Sequence, residues 1–526
     1  MGLYLNPGND AFAISVNDDI YIDKTGMIEV VNSRLGKRKR FLCVSRPRRF
    51  GKSMDAEMLS AYYDRNCESR ELFETLEIAK KDSYLEHLNQ YDVFFLNMQQ
   101  FLSGAGSPDQ LVTYVQQTLL EEVREQYKEL VPEKETRLSN ALATVYSKES
   151  HPNKGFVFII DEWDCIFREA RGSELAQRNY LDFLKDLFKD RTYVKLAYMT
   201  GILPVKKYGT HSALNIFDEF SMTAPGQLAQ YVGFLEKDVS ELCKRHDMEF
   251  VVAQKWYDGY RFKNTEHIYN PKSIVDAMME KEFRSYWTST ETYEALQVYI
   301  DLDFDGLKQA IVTLLCGGEC EIDVGTFQND MTTFKSKDDI LTLLVHLGYL
   351  AYDEKKQTVL IPNEEVRQEF LRSVKTGKRT ELIRIIENSD ALLDATLRLD
   401  GEEVARRIQE VHSAVVPPLF YNNEQALRSV IQFAYISSRD QYMMQQELPS
   451  GTGYADIVLI PVNTDRPAIV LELKKDRSAS GAINQIREKN YTQVLNDYYG
   501  DILLVGINYD STSKQHTCVI EKHVRN

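Results

Sequence analysis

The sequence predicts a multidomain α/β protein: two sheets, each carrying charged groups at its strand ends, with a helical stretch between them. Three observations carry this reading. A short apolar run, Phe41-Leu-Cys-Val44, leads into a basic loop and turns into a helix at Gly51-Lys52-Ser53. A second run, Phe156-Val-Phe-Ile-Ile160, ends in the carboxylates Asp161 and Glu162. Unbroken apolar runs of this kind belong to strands covered on both faces, as in parallel sheets. Far downstream, two β-rich runs flank the polar turn Asn463-Thr-Asp-Arg466 and carry Asp456, Glu472 and Lys474.

Size and composition frame the rest. A chain of 526 residues exceeds one ordinary core, and three or four domains are expected. Its 43% apolar content is globular, and no stretch approaches the length of a membrane span. The start of the chain lacks a basic region followed by an apolar one, which argues against secretion. The seven cysteines are scattered, and no second pair or nearby histidine joins Cys316 and Cys320. Free thiols in a reduced, cytoplasmic protein are the expectation. The net charge of −16 argues against a protein coated in nucleic acid. A local basic groove remains open, because Lys37 to Lys52 holds eight Lys or Arg residues and no acid.

The loop before Ser53 has the form of a phosphate site. A helix N-terminus offers unpaired backbone N–H groups and the positive end of the helix dipole. Lys52 would reach the outer phosphates, and the Ser53 hydroxyl would hold Mg2+. The full pattern has a glycine where this chain has Arg46, and Pro47 stiffens the loop. Arg46, Arg48 and Arg49 are then expected to place charge beside the phosphates, with Phe50 and Gly51 completing the loop. Asp161 would bind the Mg2+ held by Ser53, and Glu162 would polarise the attacking water. A strand over Tyr193–Tyr198 brings Thr200 to the same edge, to hold the water or γ-phosphate or simply to satisfy the loop backbone. Arg168, Arg191 and Lys206 are candidate phosphate-sensing cations. Asp23 and Lys24 are expected to bridge in a turn. The block Trp256-Tyr-Asp-Gly-Tyr-Arg-Phe262 reads as a turn between packed aromatics, with base stacking the less favoured use.

In the middle of the chain, Asp338–Leu350 reads as a helix stopped at Gly348. A small hairpin follows, then a helix from Glu364 capped by Asn363. Helix, hairpin and helix suggest a winged-helix-like module. Asp338, Asp339, Glu364, Glu365 and Glu369 make it a poor phosphate binder, so packing or relay is favoured over DNA binding. Residues 381–411 read as one charged amphipathic helix.

The last region opens with a helix over Tyr421–Arg439. In the hairpin beyond it, Glu472 and Lys474 are two apart on one strand and share a face. Asp456 starts the partner strand. Burying such groups is costly unless they are paired or hold a metal. Phosphodiester hydrolysis fits: Asp456 and Glu472 would hold Mg2+ with the Leu473 carbonyl, and Lys474 would orient or help deprotonate the attacking water. Gln485, on the next helix, would face this site. A structural Glu472–Lys474 salt bridge is the rival reading.

These blocks resemble a known family, the bacterial and archaeal AAA-ATPase-like proteins that carry a C-terminal PD-(D/E)XK nuclease domain. The resemblance rests on Tyr21-Ile-Asp-Lys-Thr25, Arg46-Pro-Arg-Arg-Phe-Gly-Lys-Ser53, Ile160-Asp-Glu-Trp-Asp164, Thr200-Gly-Ile202, Tyr257-Asp-Gly-Tyr260 and Tyr269-Asn-Pro-Lys-Ser273. The Asp456…Glu472-x-Lys474 hairpin and the Gln485 helix carry it at the other end. The resemblance implies a P-loop AAA-like parallel-sheet ATPase module over residues 1–290 and a winged-helix-like helical linker over 291–410. It implies a PD-(D/E)XK restriction-endonuclease-like α/β domain over 411–526. It also implies ATP and Mg2+ as cofactors and DNA as substrate; a homo-oligomer remains open, and no membrane partner is expected from the lack of a long apolar stretch. It assigns Glu424 to the metal site as an outer residue, with Glu447 the weaker alternative. Ala455 stands where proline is usual, and Tyr454 where arginine is frequent. The expected function is an ATP-binding, ATP-hydrolysing protein coupled to Mg2+-dependent cleavage of DNA. The alternatives are a nucleotide-regulated switch that binds nucleic acid or protein without cutting, and a scaffold.

Overall fold

The structure is a computed structural model and describes residues 2–205, 214–287, 293–302, 304–315, 317–328, 334–376, 380–415, 424–450, 453–461, 466–495, 498 and 500–523. The chain divides into two compact units, residues 1–290 with 321–366, and residues 291–320 with 367–526.

The first unit is built on strands β1 (Phe41–Ser45), β2 (Asp92–Asn97), β3 (Phe156–Asp161), β4 (Val194–Gly201) and β5 (Asp218–Phe220). Their order across the sheet is β5-β1-β4-β3-β2, and every pairing is parallel. Parallel neighbours need crossovers. Here these include helix α1 (Lys52–Tyr63), which leaves β1, and the helices Leu111–Gln126 and Glu174–Phe188. Every residue of β1 and β3 is buried, as their unbroken apolar runs require. Phe94 and Phe158 stack across β2 and β3 at 5.1 Å. The order sets β4 between β1 and β3. Val44 lies beside Thr200 and Ile160 beside Met199, so three strand tips align at the carboxyl edge. Ligands bind at that edge in open α/β sheets.

The helix–hairpin–helix of the middle stretch is present as Lys337–Leu347, strands Ala351–Asp353 and Thr358–Leu360, and Glu364–Thr376. Asn363 Oδ1 accepts the Val366 N–H at 3.0 Å and so caps the last helix. The stretch read as a separate linker is shared between the two units. The single helix expected over 381–411 is instead two, Thr380–Leu397 and Gly401–Val415. The break falls where Leu399 takes a left-handed φ of 62°. Asp400-Gly401 is the turn signal in the sequence, masked by the amphipathic pattern on either side.

The second unit carries strands β6 (Tyr442–Ser450), β7 (Gly453–Pro461), β8 (Ala468–Lys475), β9 (Ile502–Asp510) and β10 (Gln515–Lys522), in that order across the sheet. Only β8 and β9 pair in parallel. Helix α2 (Glu424–Ala434) precedes the sheet, and helix α3 (Ala479–Glu488) is the β8–β9 crossover. Ala482, Ile483 and Ile486 are buried on α3, and Ile483 and Ile486 join one apolar cluster with Val470 and Leu504. A Cβ on Gly506 would stand 2.3 Å from the Ala479 carbonyl oxygen, so the bare glycine lets α3 lie close on β9. The six described cysteines are unbridged thiols. No described helix is long and apolar enough to cross a membrane.

Candidate functional site

In the first unit the loop between β1 and α1 curls through left-handed φ at Arg49 (69°) and Gly51 (88°). Such turns face successive backbone N–H groups toward one concavity. Lys52 is buried, and its ammonium lies across the loop, donating to the Pro47 carbonyl at 2.8 Å. Burial lowers its pKa. Ser53 Oγ donates to Asp161 Oδ2 at 2.7 Å, and Thr200 Oγ1 to Asp161 Oδ1 at 2.6 Å. The Glu162 N–H adds a third bond to Oδ1 at 3.0 Å. Ser53, Asp161 and Thr200, separated widely in sequence, thus meet through the strand order.

Glu162 sits just past the tip of β3 at φ 55°, and burial pushes its carboxyl pKa up. Its carboxylate pairs with Arg168, which also reaches Asp164 at 3.2 Å. Asp164 is fully buried and accepts the backbone N–H groups of Ile202 and Leu203 at 3.1 and 2.8 Å, fixing the chain beyond β4. Of the three cations singled out in the sequence, Arg168 reaches this edge. Arg191 pairs with Asp186 at 2.5 Å, before β4 begins. Lys206 lies outside the described residues. Asp164 was not singled out, although it is the third acid of Asp-Glu-Trp-Asp.

Arg46 corrects an expectation. Its guanidinium faces the core rather than the phosphates, donating to the Ser45 and Phe220 carbonyls at 2.9 and 2.8 Å and lying 5.0 Å from the centre of the Phe262 ring. Burial lowers its pKa to about 10. Arg48 is exposed and Arg49 half-buried, so the loop's outward charge comes from these two. Phe50 packs edge-on to Tyr260 at 5.2 Å, and the Tyr260 hydroxyl donates to the Gly348 carbonyl at 2.6 Å. The aromatic block is therefore a buried support under the loop. Tyr257, Tyr260 and Phe262 are buried and offer no face for base stacking, while Trp256 is half-buried against the core that holds Tyr257. Asp23 and Lys24 do not bridge. Asp23 accepts from Thr25 and from the Glu77 N–H, while Lys24 pairs with Asp238 at 2.6 Å. A mostly apolar cavity of about 460 Å³ opens beside Gly51, lined by Tyr21, Phe50, Met54, Asp55 and Phe234 among others. Asp55 is buried with Oδ2 unpartnered, and burial raises its pKa well above the usual range.

In the second unit Ile457 pairs with Leu471, which sets Asp456 across from Glu472. Asp456 accepts the Leu473 N–H on Oδ2 and the Arg428 guanidinium on Oδ1, both at 2.9 Å. Glu472 is 2% exposed, and its Oε1 receives Lys474 at 2.7 Å and Gln485 at 2.5 Å. Its Oε2 is buried without a partner. Burial first, then the nearby Asp456 charge, raises the Glu472 pKa to about 7. Gln485 also donates to the Tyr491 hydroxyl at 3.2 Å, and Tyr491 is buried, so it packs. Tyr454 is 64% exposed two positions before Asp456. Asp456, Glu472, Lys474 and Gln485 are all brought together. The Glu424 and Glu447 side chains lie outside the described residues. Among the described residues no three His, Cys, Asp or Glu side chains gather with metal-ligand spacing. Arg428 went unnoticed in the sequence; its signal was its place one helical turn after Glu424.

Comparison with known proteins follows the same division. A family model described as a predicted AAA-ATPase matches residues 9–210, and one described as the PD-(D/E)XK nuclease superfamily matches residues 422–518. An uncharacterised protein from the vnfD 5′ region of Azotobacter chroococcum is 26% identical over 294 residues, 52% of this chain and 51% of that protein. The chain thus spans about half the length of that curated relative. Among solved structures, a Walker-type ATPase of Pyrococcus abyssi is 11% identical over 66% of this chain and 94% of that one, with a TM-score of 0.35. Cdc6p of Pyrobaculum aerophilum is 10% identical over 69% and 97%, with a TM-score of 0.24. The chain carries an N-terminal AAA-ATPase-like domain over residues 9–210 and a C-terminal PD-(D/E)XK nuclease-superfamily domain over residues 422–518.

Proposed function

We propose that the first unit binds and hydrolyses ATP, and that the second cleaves DNA with Mg2+. The convergence of Ser53, Thr200 and the Glu162 N–H on Asp161 supports the first half. A triphosphate arriving on the loop would draw Lys52 from the Pro47 carbonyl, the β- and γ-phosphate oxygens taking its place. Ser53 and Asp161 would hold the Mg2+ that accompanies the nucleotide. Thr200 fixes Asp161, and Glu162 orients the attacking water once its carboxylate is free of Arg168. The cavity beside Gly51 has the volume and apolar lining for a nucleobase, and Asp55 offers an acceptor within it.

For the second half, the observation that carries the reading is the unpartnered, buried Oε2 of Glu472 beside Asp456. A carboxylate oxygen left without a donor in a dry strand pair fits a cation ligand. Asp456, Glu472 and the Leu473 carbonyl would hold Mg2+, which supplies an acidified water and charge stabilisation at the phosphate. Lys474 holds Glu472 in place and stands where it can orient that water, and Gln485 fixes the same carboxylate from α3.

The test is cleavage of linear, circular and single-stranded DNA with Mg2+, with and without ATP, by the wild-type chain and Glu472→Ala. The expected result is cleavage that responds to ATP and falls by more than about 10³-fold in the variant. Equal cleavage by the two proteins would refute the assigned site.

A further inference from the structure

We propose that Arg428 is an exchangeable counterion, holding Asp456 while the second-unit site lacks a metal and holding a DNA phosphate once the metal has entered. The inference rests on the reading of that site as a Mg2+-dependent nuclease.

The two carboxylates are compensated differently. Glu472 receives both of its donors on Oε1 and keeps Oε2 open. Asp456 has donors on both oxygens: Oδ2 takes a peptide N–H from β8, and Oδ1 takes Arg428. A divalent cation shared between the two would sit on Oδ1 of Asp456, because the other oxygen is tied to backbone that cannot leave without breaking the strand pair. Mg2+ and a guanidinium on one carboxylate oxygen would lie within a few ångström of each other, and like charges at that range repel strongly. Metal entry then displaces the guanidinium.

The displaced group stays local, because Arg428 is fixed on α2. The Arg428 and Asp456 side chains are 20% and 18% exposed, so the pair borders solvent. A planar guanidinium released beside the metal is suited to a phosphodiester, which it can grip with two parallel hydrogen bonds. Lys474 is a weaker candidate for the exchange. Its carboxylate partner already has an open oxygen, and the lysine is 13% exposed. Arg428 thus lowers metal affinity in the absence of DNA and is turned to substrate binding when metal and DNA are present together.

The test uses the full chain without nucleotide, so that the ATP site takes up no Mg2+. Calorimetric Mg2+ titrations compare wild type, Arg428→Gln, Asp456→Asn and the double variant. DNA binding is measured with Ca2+ across a salt series. Arg428→Gln is expected to bind Mg2+ about tenfold more tightly than wild type, a gain that vanishes when Asp456 is also changed. Its DNA affinity with Ca2+ should fall, with the salt slope reduced by about one. Arg428→Lys, which keeps the charge and loses the fork, should keep Mg2+ affinity within about twofold of wild type and still bind DNA less tightly. Wild-type Mg2+ binding that Arg428→Gln leaves unchanged would overturn this inference alone. Absence of Mg2+ binding in both proteins would overturn the nuclease reading with it. If Arg428→Gln does not fold, Arg428→Lys decides: full DNA affinity in that variant overturns the proposal.

Discussion

The two sites hold their central carboxylates by opposite means. At the first-unit edge Asp161 is satisfied by neutral donors, two hydroxyls and a peptide N–H. In the second unit Asp456 and Glu472 are each held by a cation, Arg428 and Lys474, and by a neutral donor, the Leu473 N–H and Gln485. Asp161 makes no direct ion pair among the described residues, and on the proposed function it would meet a cation that arrives with a nucleotide. In the second site the two carboxylates face each other across two strands, and the chain supplies cations beside both. On the proposed function, the first site would take a ligand that brings its metal, and the second would hold its own countercharges until a metal enters.

Four measurements break or sharpen this contrast. The largest effect is expected for Glu162→Gln, which should retain ATP affinity within about threefold while slowing hydrolysis by about 10² to 10³-fold in turnover assays. If binding collapses as well, the Glu162–Arg168 pair is structural, and the first site resembles the second more than claimed. Asp164→Asn should cost about 3 kcal/mol of first-unit stability, because Arg168 loses a buried partner and the N–H groups of Ile202 and Leu203 lose a charged acceptor. Urea unfolding reads this, and a loss under about 1 kcal/mol would contradict it.

Gly259→Ala is expected to cost about 2 kcal/mol. Its φ is 122°, and an added Cβ would stand 2.0 Å from the Pro362 carbonyl oxygen. Because Tyr260 packs on Phe50, ATP affinity should fall a few-fold while metal binding in the second unit is unaffected. The smallest effect is a pH dependence. The Glu472 pKa is raised from 4.5 to about 7 in the folded, metal-free protein. Its protonated form is therefore favoured by folding. The contribution is fully present below the unfolded value and is lost as pH rises through the folded one. The stability of Glu472→Gln relative to wild type should then climb by about 1.2 kcal/mol between pH 6 and pH 7.5. Parallel stability curves across that range would show that Lys474 and Gln485 fully offset the burial.

What could be read from sequence was the chemistry that is contiguous. Gly51-Lys52-Ser53 opens a helix, Asp161-Glu162 ends a strand and Glu472-x-Lys474 lies within one, so a local pattern announces each and the α/β architecture follows. What could not be read was which neighbours complete them. Arg46 sits in a basic run and reads as surface charge; it is buried because the Phe220 carbonyl and the Phe262 ring, both far along the chain, receive it. Lys24 and Asp238 are 214 residues apart. Arg428 meets Asp456 only because α2 packs beside the β7–β8 hairpin. Each of these is a tertiary pairing with no periodic signature.

The most direct test of the account is an equilibrium titration of fluorescent ATP with Mg2+ into wild type, Lys52→Ala and Glu162→Gln. The account predicts saturable binding by wild type and Glu162→Gln, with Lys52→Ala weakened by about 10²-fold. Equal affinity in all three would contradict the claim that the edge formed by Lys52, Ser53, Asp161 and Thr200 is a nucleotide site.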